Sequence, residues 1–430
     1  MPERAFYGWK LLAAFWLIVF FNLGFAAYGA PLINTAMAAD LDFNRTMLGL
    51  PVSVFMLASG LPGPLVALCV NRRGVRFTLV LGSLLMVAGA VMLALFVDNV
   101  VGAAIGYGVL MGLGVAAGAT LPAQTGVAFW FQRKRARALA ILLAAVGVGG
   151  FIAPSLLNAV MASFGGWRAG WWVFALASGL ATIVALLFVK ERPSDLGQFP
   201  DGLAPQAADN GGSASTAKRR VYVTSEAWTF REAIRSPALW LLLGCMIGLS
   251  LGYTLVISHA IAHLQDLGHS QAAAGFSLSV LAVASLAGHF VVGALGDRID
   301  PRYLWSGALA IFGIGLLVLL NASAAFALYV YAACIGIGWG ISLTCLMALL
   351  ANYFGTKAYA LLVGVTLAVQ PTVSSLSPSI AGRLYDQYGS YDLSIYPIAT
   401  LCFASALVLT WLRPPVRRES SGAAAESAAH

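Results

Sequence analysis

The chain has 430 residues, of which 60% are hydrophobic and only 10% charged, with a formal net charge of +8. Soluble domains carry roughly 25% charged residues, so this composition excludes an ordinary water-soluble core. The basic residues sit in short clusters between apolar runs, where they set membrane topology, and this excludes a nucleic-acid partner.

Apolar runs of about 20 residues, enough to cross a bilayer core, recur along the whole chain. With no water to satisfy backbone polar groups, each must be a helix. The first run, Trp9 to Met37, is too long for a signal-peptide core and reads as the first span. Twelve spans are predicted, span 1 to span 12 in chain order: 9–37, 46–69, 75–97, 100–129, 137–162, 168–189, 238–265, 271–295, 303–321, 325–352, 357–384 and 391–412. An even number places both termini on one face. If that face is cytoplasmic, Arg45, Arg168 and Arg383 alone of the 25 Lys and Arg lie outside, the bias of the positive-inside rule. The expected location is a cell membrane, crossed many times, with cytoplasmic N- and C-termini. Ala and Gly richness suits a bacterial inner membrane.

Between spans 6 and 7 the composition turns polar, with Pro193, Pro200 and Pro205 followed by a Gly/Ser-rich stretch from Asn210, a flexible-linker signature. The expected organisation is an N-terminal six-helix bundle (1–190), a cytoplasmic linker (191–236) holding disorder or a surface-lying helix, a C-terminal six-helix bundle (237–413) and a cytoplasmic tail (414–430). The two halves show a weak internal repeat. Trp9 corresponds to Trp240, and the loop from Ala67 to Gly74 mirrors the loop from Gly293 to Asp300.

The five cysteines all fall inside apolar runs without a Cys-x-x-Cys pair, so neither a disulfide framework nor a zinc site is expected. No soluble catalytic domain and no nucleophile–base pair is visible, so the chain reads as a non-enzyme without cofactor or metal. Ionisable residues inside spans are costly and point to function. Three histidines qualify: His259 and His263, one turn apart on span 7, and His289 on span 8. Asn22, Gln124, Asn158, Tyr253, Thr344 and Gln370 are mid-span polar groups able to bind a substrate or join helices. Gly147, Gly149, Gly150 and Pro154 on span 5, with Pro371 and Pro378 on span 11, are expected to allow close approach and bending.

The stretch Gly293-x-Leu295-Gly296-Asp297-Arg298 in a short loop after the second helix of a half resembles the loop motif of the major facilitator superfamily. The resemblance implies an all-α membrane protein of twelve transmembrane helices in two six-helix bundles. It also implies a conformational latch in which Asp297 caps a neighbouring helix and pairs with Arg298. In the first half the acid is replaced by Asn71, which can cap but not ion-pair, leaving Arg72, Arg73 and Arg76 as partners.

Further stretches look like the bacterial relatives of monocarboxylate transporters and oxalate/formate exchangers. They are Tyr7-Gly8-Trp9-Lys10, the run from Trp130 to Arg137, the run from Glu191 to Gly202, and the run from Gly382 to Tyr391. Monocarboxylate transporters carry an Arg one turn before the motif glycine and an acid one turn further up. This chain has His289 and Ser285 there. A histidine binds an anion when protonated, which would couple substrate to proton uptake. His259 and its repeat counterpart Tyr28 are expected to face the central cavity, and Gln124 and Gln370 are the favoured amide contacts on helices that border the cavity in this superfamily. The expected function is secondary active transport of a small organic anion, a monocarboxylate or related acid, by alternating access in a monomer, with protons as the coupling partner. The alternative is an exporter of a larger, mostly apolar compound by proton antiport, with Phe25, Tyr253 and Trp339 lining a wide cavity.

Overall fold

The computed structural model describes residues 6–131, 135–202, 222, 224, 228–296 and 298–415. Among the described residues, eleven helices are long and apolar enough to cross a membrane. The twelfth crossing is span 2. It begins as Arg45–Gly60, turns at Leu61 and Pro62, and resumes at Gly63 in a helix that runs on into span 3. The observed spans are 8–40, 45–73, 75–96, 100–130, 135–164, 167–188, 237–266, 271–295, 301–320, 325–354, 356–388 and 392–411. The fold is all-helical among the described residues, with spans 1–6 forming one six-helix bundle and spans 7–12 the other.

Two reversals are made by glycines in backbone conformations that L side chains resist. Gly74 (φ 92°) turns span 2 into span 3, and Gly355 (φ 68°) turns span 10 into span 11. The first leaves the N-terminus of span 3 uncapped from within its own loop. The cap comes from the end of span 6, where the Glu191 carboxylate accepts from the backbone N–H groups of Val75 (2.8 Å) and Arg76 (2.9 Å). In the second half the equivalent cap is local, since Asp300 accepts from Arg302 N at 3.0 Å. The repeat is visible around these caps. Arg76 donates to the carbonyl of Leu186 and Arg302 donates to the carbonyl of Leu412, so each half ties its third helix to the end of its sixth with an arginine.

Of the stretch between the halves, the described part begins with short 3-10 turns at Pro193–Leu196 and Pro200–Gly202. It ends with a five-residue helix, Phe230–Ile234, opened by a capping box between Thr229 and Glu232. The Gly/Ser-rich stretch lies outside the described residues.

Glu191→Ala is expected to remove about 0.5–2 kcal/mol by uncapping span 3, read as a lower thermal midpoint of the detergent-solubilised protein, with Glu191→Gln intermediate. Gly74→Ala should lower it as well, because a Cβ at that position would stand 2.4 Å from Glu191 Oε1.

Candidate functional site

The two bundles meet along a seam, and the hydrogen bonds across it lie at mid-depth and on the side away from the chain termini, termed the far side. There span 2 begins with its first N–H groups unpaired by helix geometry. Asn44 caps one of them, accepting from Met47 N at 2.8 Å. The other cap crosses between the halves, because Asp386 of span 11 accepts from Arg45 N (2.9 Å), Thr46 N (2.9 Å) and Thr46 Oγ1 (2.6 Å). Arg45 reaches span 7 in turn, its guanidinium standing 2.6 Å from an Asp266 carboxylate oxygen that also accepts from Tyr385 OH at 2.9 Å. A carboxylate at a helix N-terminus is favoured by the helix dipole and by charge-assisted hydrogen bonds, so this cluster is a latch between halves.

Below the latch the helices touch backbone to backbone. A Cβ on Gly49 would lie 2.3 Å from the carbonyl oxygen of Pro378, and one on Gly382 would lie 2.2 Å from that of Arg45. Ser53 and Ser379 share a hydrogen bond of 2.8 Å. A second seam joins spans 5 and 8, with Ser279 Oγ donating to the carbonyl of Phe151 at 2.9 Å. Midway, Tyr253 OH of span 7 donates to Tyr28 OH of span 1 at 3.1 Å, and the Tyr253 ring stacks on Trp339 of span 10 with centroids 3.9 Å apart.

The predicted site residues divide among these features. Tyr28 lies at the half interface, bonded to Tyr253. His289, half-buried, directs Nδ1 to Thr344 Oγ1 at 2.7 Å. Thr344 spends its one hydroxyl proton on the carbonyl of Gly340 at 2.9 Å. With the threonine proton on Gly340, its oxygen accepts from Nδ1, and Nε2 is then the nitrogen left to gain or lose a proton.

His259 is 1% exposed and uses both ring nitrogens. A carbonyl can only accept, so Nε2 donates to Pro378 O (2.8 Å) and Nδ1 accepts from Tyr391 OH (3.2 Å). It braces span 11 where span 11 meets span 2. His263 bonds the carbonyl of Leu319 at 3.1 Å. Gln124 is half-buried with no hydrogen bond among the described residues. Gln370 lines a cavity of about 10 Å³ between spans 7 and 11 beside Ser250 and Thr366, room for about one water.

Of the latch predicted on the other side, Asp297 lies outside the described residues. Asn71, Arg72 and Arg298 are exposed, and their side chains make no hydrogen bond among the described residues. The roles of Asp386, Asp266, Tyr385 and Glu191 are not singled out by composition or motif. The signal that points to them is an acid beside a span end opposite an Arg-led helix.

Two homologous six-helix bundles, meeting along a seam latched at one end and holding few ionisable groups at its middle, define a multi-pass membrane transporter rather than an enzyme. The chain belongs to the Major Facilitator Superfamily, whose family model matches residues 15–262 and 242–429. Within it the chain groups with the monocarboxylate-transporter-like proteins. It is 27% identical to Monocarboxylate transporter 2 of Rattus norvegicus, over 95% of this chain and 83% of that one. It is 28% identical to Monocarboxylate transporter 3 of Rattus norvegicus over 92% and 77%, and 24% identical to the uncharacterized MFS-type transporter YhjX of Escherichia coli (strain K12) over 81% of each. Among solved structures, a D-xylose-proton symporter matches with a TM-score of 0.71 at 16% identity, over 96% of this chain and 98% of that one. A bacterial homolog of the human lysosomal transporter Spinster, inward-facing and unoccupied, matches with a TM-score of 0.66 at 18% identity over 95% of each. At these identities the likeness to both structures is one of fold.

Asp386→Ala is expected to shift the far side toward opening, since losing charge-assisted caps costs the closed state about 1–3 kcal/mol, a roughly 5- to 150-fold change in the open-to-closed ratio. Spin labels at Asp98 and Ser323, on far-side loops of opposite halves, should report a longer distance population in the variant. An unchanged distribution would show that the cap does not hold the gate.

Proposed function

We propose that this transporter moves a small organic anion, a monocarboxylate or related acid, across a cytoplasmic membrane by alternating access, with one proton carried on His289. The observation that carries this reading is the geometry of His289. Its Nδ1 is engaged with the Thr344 hydroxyl at 2.7 Å, and Nε2 has no hydrogen bond among the described residues. A neutral His289 thus presents a lone pair. A protonated one presents an N–H donor with positive charge, the complement of a carboxylate oxygen. The relatives named monocarboxylate transporters support the substrate class, and the positive-inside bias of Lys and Arg supports a cytoplasmic location of both termini. On that orientation the far side is external and the latched state faces inward. The proposed substrate contacts are His289, Tyr28, Gln124 and Gln370, with His259 acting on the site through span 11. The halves are proposed to rock about the 191–236 linker in a monomer, with Asp297, Arg298, Asn71 and Arg72 forming the opposing latch when the cytoplasmic side closes.

A second reading, export of a larger and mostly apolar compound by proton antiport, is favoured by one observation. The aromatic stack of Tyr253 on Trp339 stands at the half interface, a surface suited to an apolar or planar ligand.

The two readings separate in proteoliposomes given labelled mono- and dicarboxylates at about pH 5.5 and about pH 7.5, spanning the titration of histidine. Uptake should rise several-fold in acid for the wild type. It should fall on the order of tenfold in His289→Ala, about 1.4 kcal/mol of lost anion binding. His289→Arg, charged at both pH values, should bind the anion and lose the pH dependence. Uptake indifferent to His289, or no acid transported, would sink the anion site and favour the exporter.

A further inference from the structure

A larger cavity, of about 820 Å³, lies away from the seam at the termini-side ends of spans 7 and 12. Its size is that of a small-molecule site. Two arginines line it. Arg235 stands two residues before the helix Pro237–Asp266, and Arg413 stands two residues after the helix Asp392–Trp411. Both therefore sit at the level where a spanning helix leaves the hydrocarbon. Both are exposed, and neither guanidinium has a hydrogen bond or ion pair among the described residues. The one carboxylate in the lining, Glu232, is drawn back into its capping box, where Oε2 accepts from Thr229 N and Thr229 Oγ1, each at 2.8 Å.

The rest of the lining is apolar, with Ala238, Leu241 and Trp411 along the helix direction. Trp411 is 80% exposed, and its neighbour at the boundary, Trp240, is 53% exposed with its indole N–H tied to the carbonyl of Ile234 at 2.7 Å. Exposed indoles at a span end are the mark of the membrane–water interface. Trp228, also in the lining, is buried with its own indole N–H unpartnered. The N-terminus of the 30-residue span 7 helix opens beside the cavity and adds the positive end of its dipole.

Two unpaired cations at the polar end, an apolar wall beneath them and tryptophans at the boundary match an amphiphile with an anionic head. We propose that this cavity binds the phosphate headgroup of an anionic phospholipid, with Arg235 and Arg413 on the phosphate and the acyl chain along Leu241 and Trp411. Guanidinium groups suit this task because they bind phosphate oxygens in pairs. The occupant would tie the entrance of span 7 to the exit of span 12.

The test is native mass spectrometry of the full-length protein in mild detergent, titrated with phosphatidylglycerol or phosphatidylcholine. Wild type should retain phosphatidylglycerol about tenfold more strongly than phosphatidylcholine, in line with two basic contacts to an anionic lipid. Arg235→Gln with Arg413→Gln should bring that ratio close to one. Lys10→Gln with Arg73→Gln, which removes the same charge elsewhere on the termini side, should leave it unchanged. If the first double variant does not run as a single species on size exclusion, each single substitution should lower the ratio about threefold. An unchanged ratio without the two arginines would overturn the proposal. So would displacement of phosphatidylglycerol by inorganic phosphate at about 10 mM, which would make this a site for free anions.

Discussion

Everything in this structure follows from placing a polypeptide in a medium that offers no hydrogen bonds. Each backbone N–H and C=O must find a partner in the chain, so the spans are helices, and their only unsatisfied groups are gathered at the ends. At two of those ends the chain lends a side chain from elsewhere. Glu191 at the end of span 6 caps span 3, and Asp386 of the second half caps span 2 of the first. The first bond is internal to a bundle and makes it rigid. The second crosses between bundles, so the same physical need becomes a reversible lock.

That distinction organises the motion. Within each half, the third helix is fastened to the sixth by an arginine on a backbone carbonyl. Between the halves the far-side contacts are a carboxylate cap, serine hydroxyls and glycine-mediated backbone approaches. These are numerous, short and individually modest, so they form together or separate together. A seam of this kind suits the alternating access proposed above.

Much of this was legible in the sequence, and the limits are instructive. The twelve spans were readable because a bilayer demands about 20 apolar residues at a stretch, and span ends such as 75, 100, 271 and 325 fall where predicted. The helical turn at Leu61 and Pro62 was less visible, since hydropathy continues across it. The loop motif identified the superfamily, yet the cap of span 3 comes from Glu191 at a distant span end, which no local pattern announces. Among the candidate site residues, one signal of cost, an ionisable group in a span, selected His289 and His259 alike. Only their hydrogen bonds separate them. Both nitrogens of His259 are spent on Pro378 and Tyr391, while His289 uses only Nδ1, on Thr344, among the described residues.

The proposed proton site on His289 has an electrical consequence. If the proton and the anion meet at Nε2 and cross one to one, the pair is neutral as a unit. A carrier working in that way would do no net work against the membrane potential, and its steady-state accumulation of substrate would be set by the pH difference across the bilayer alone.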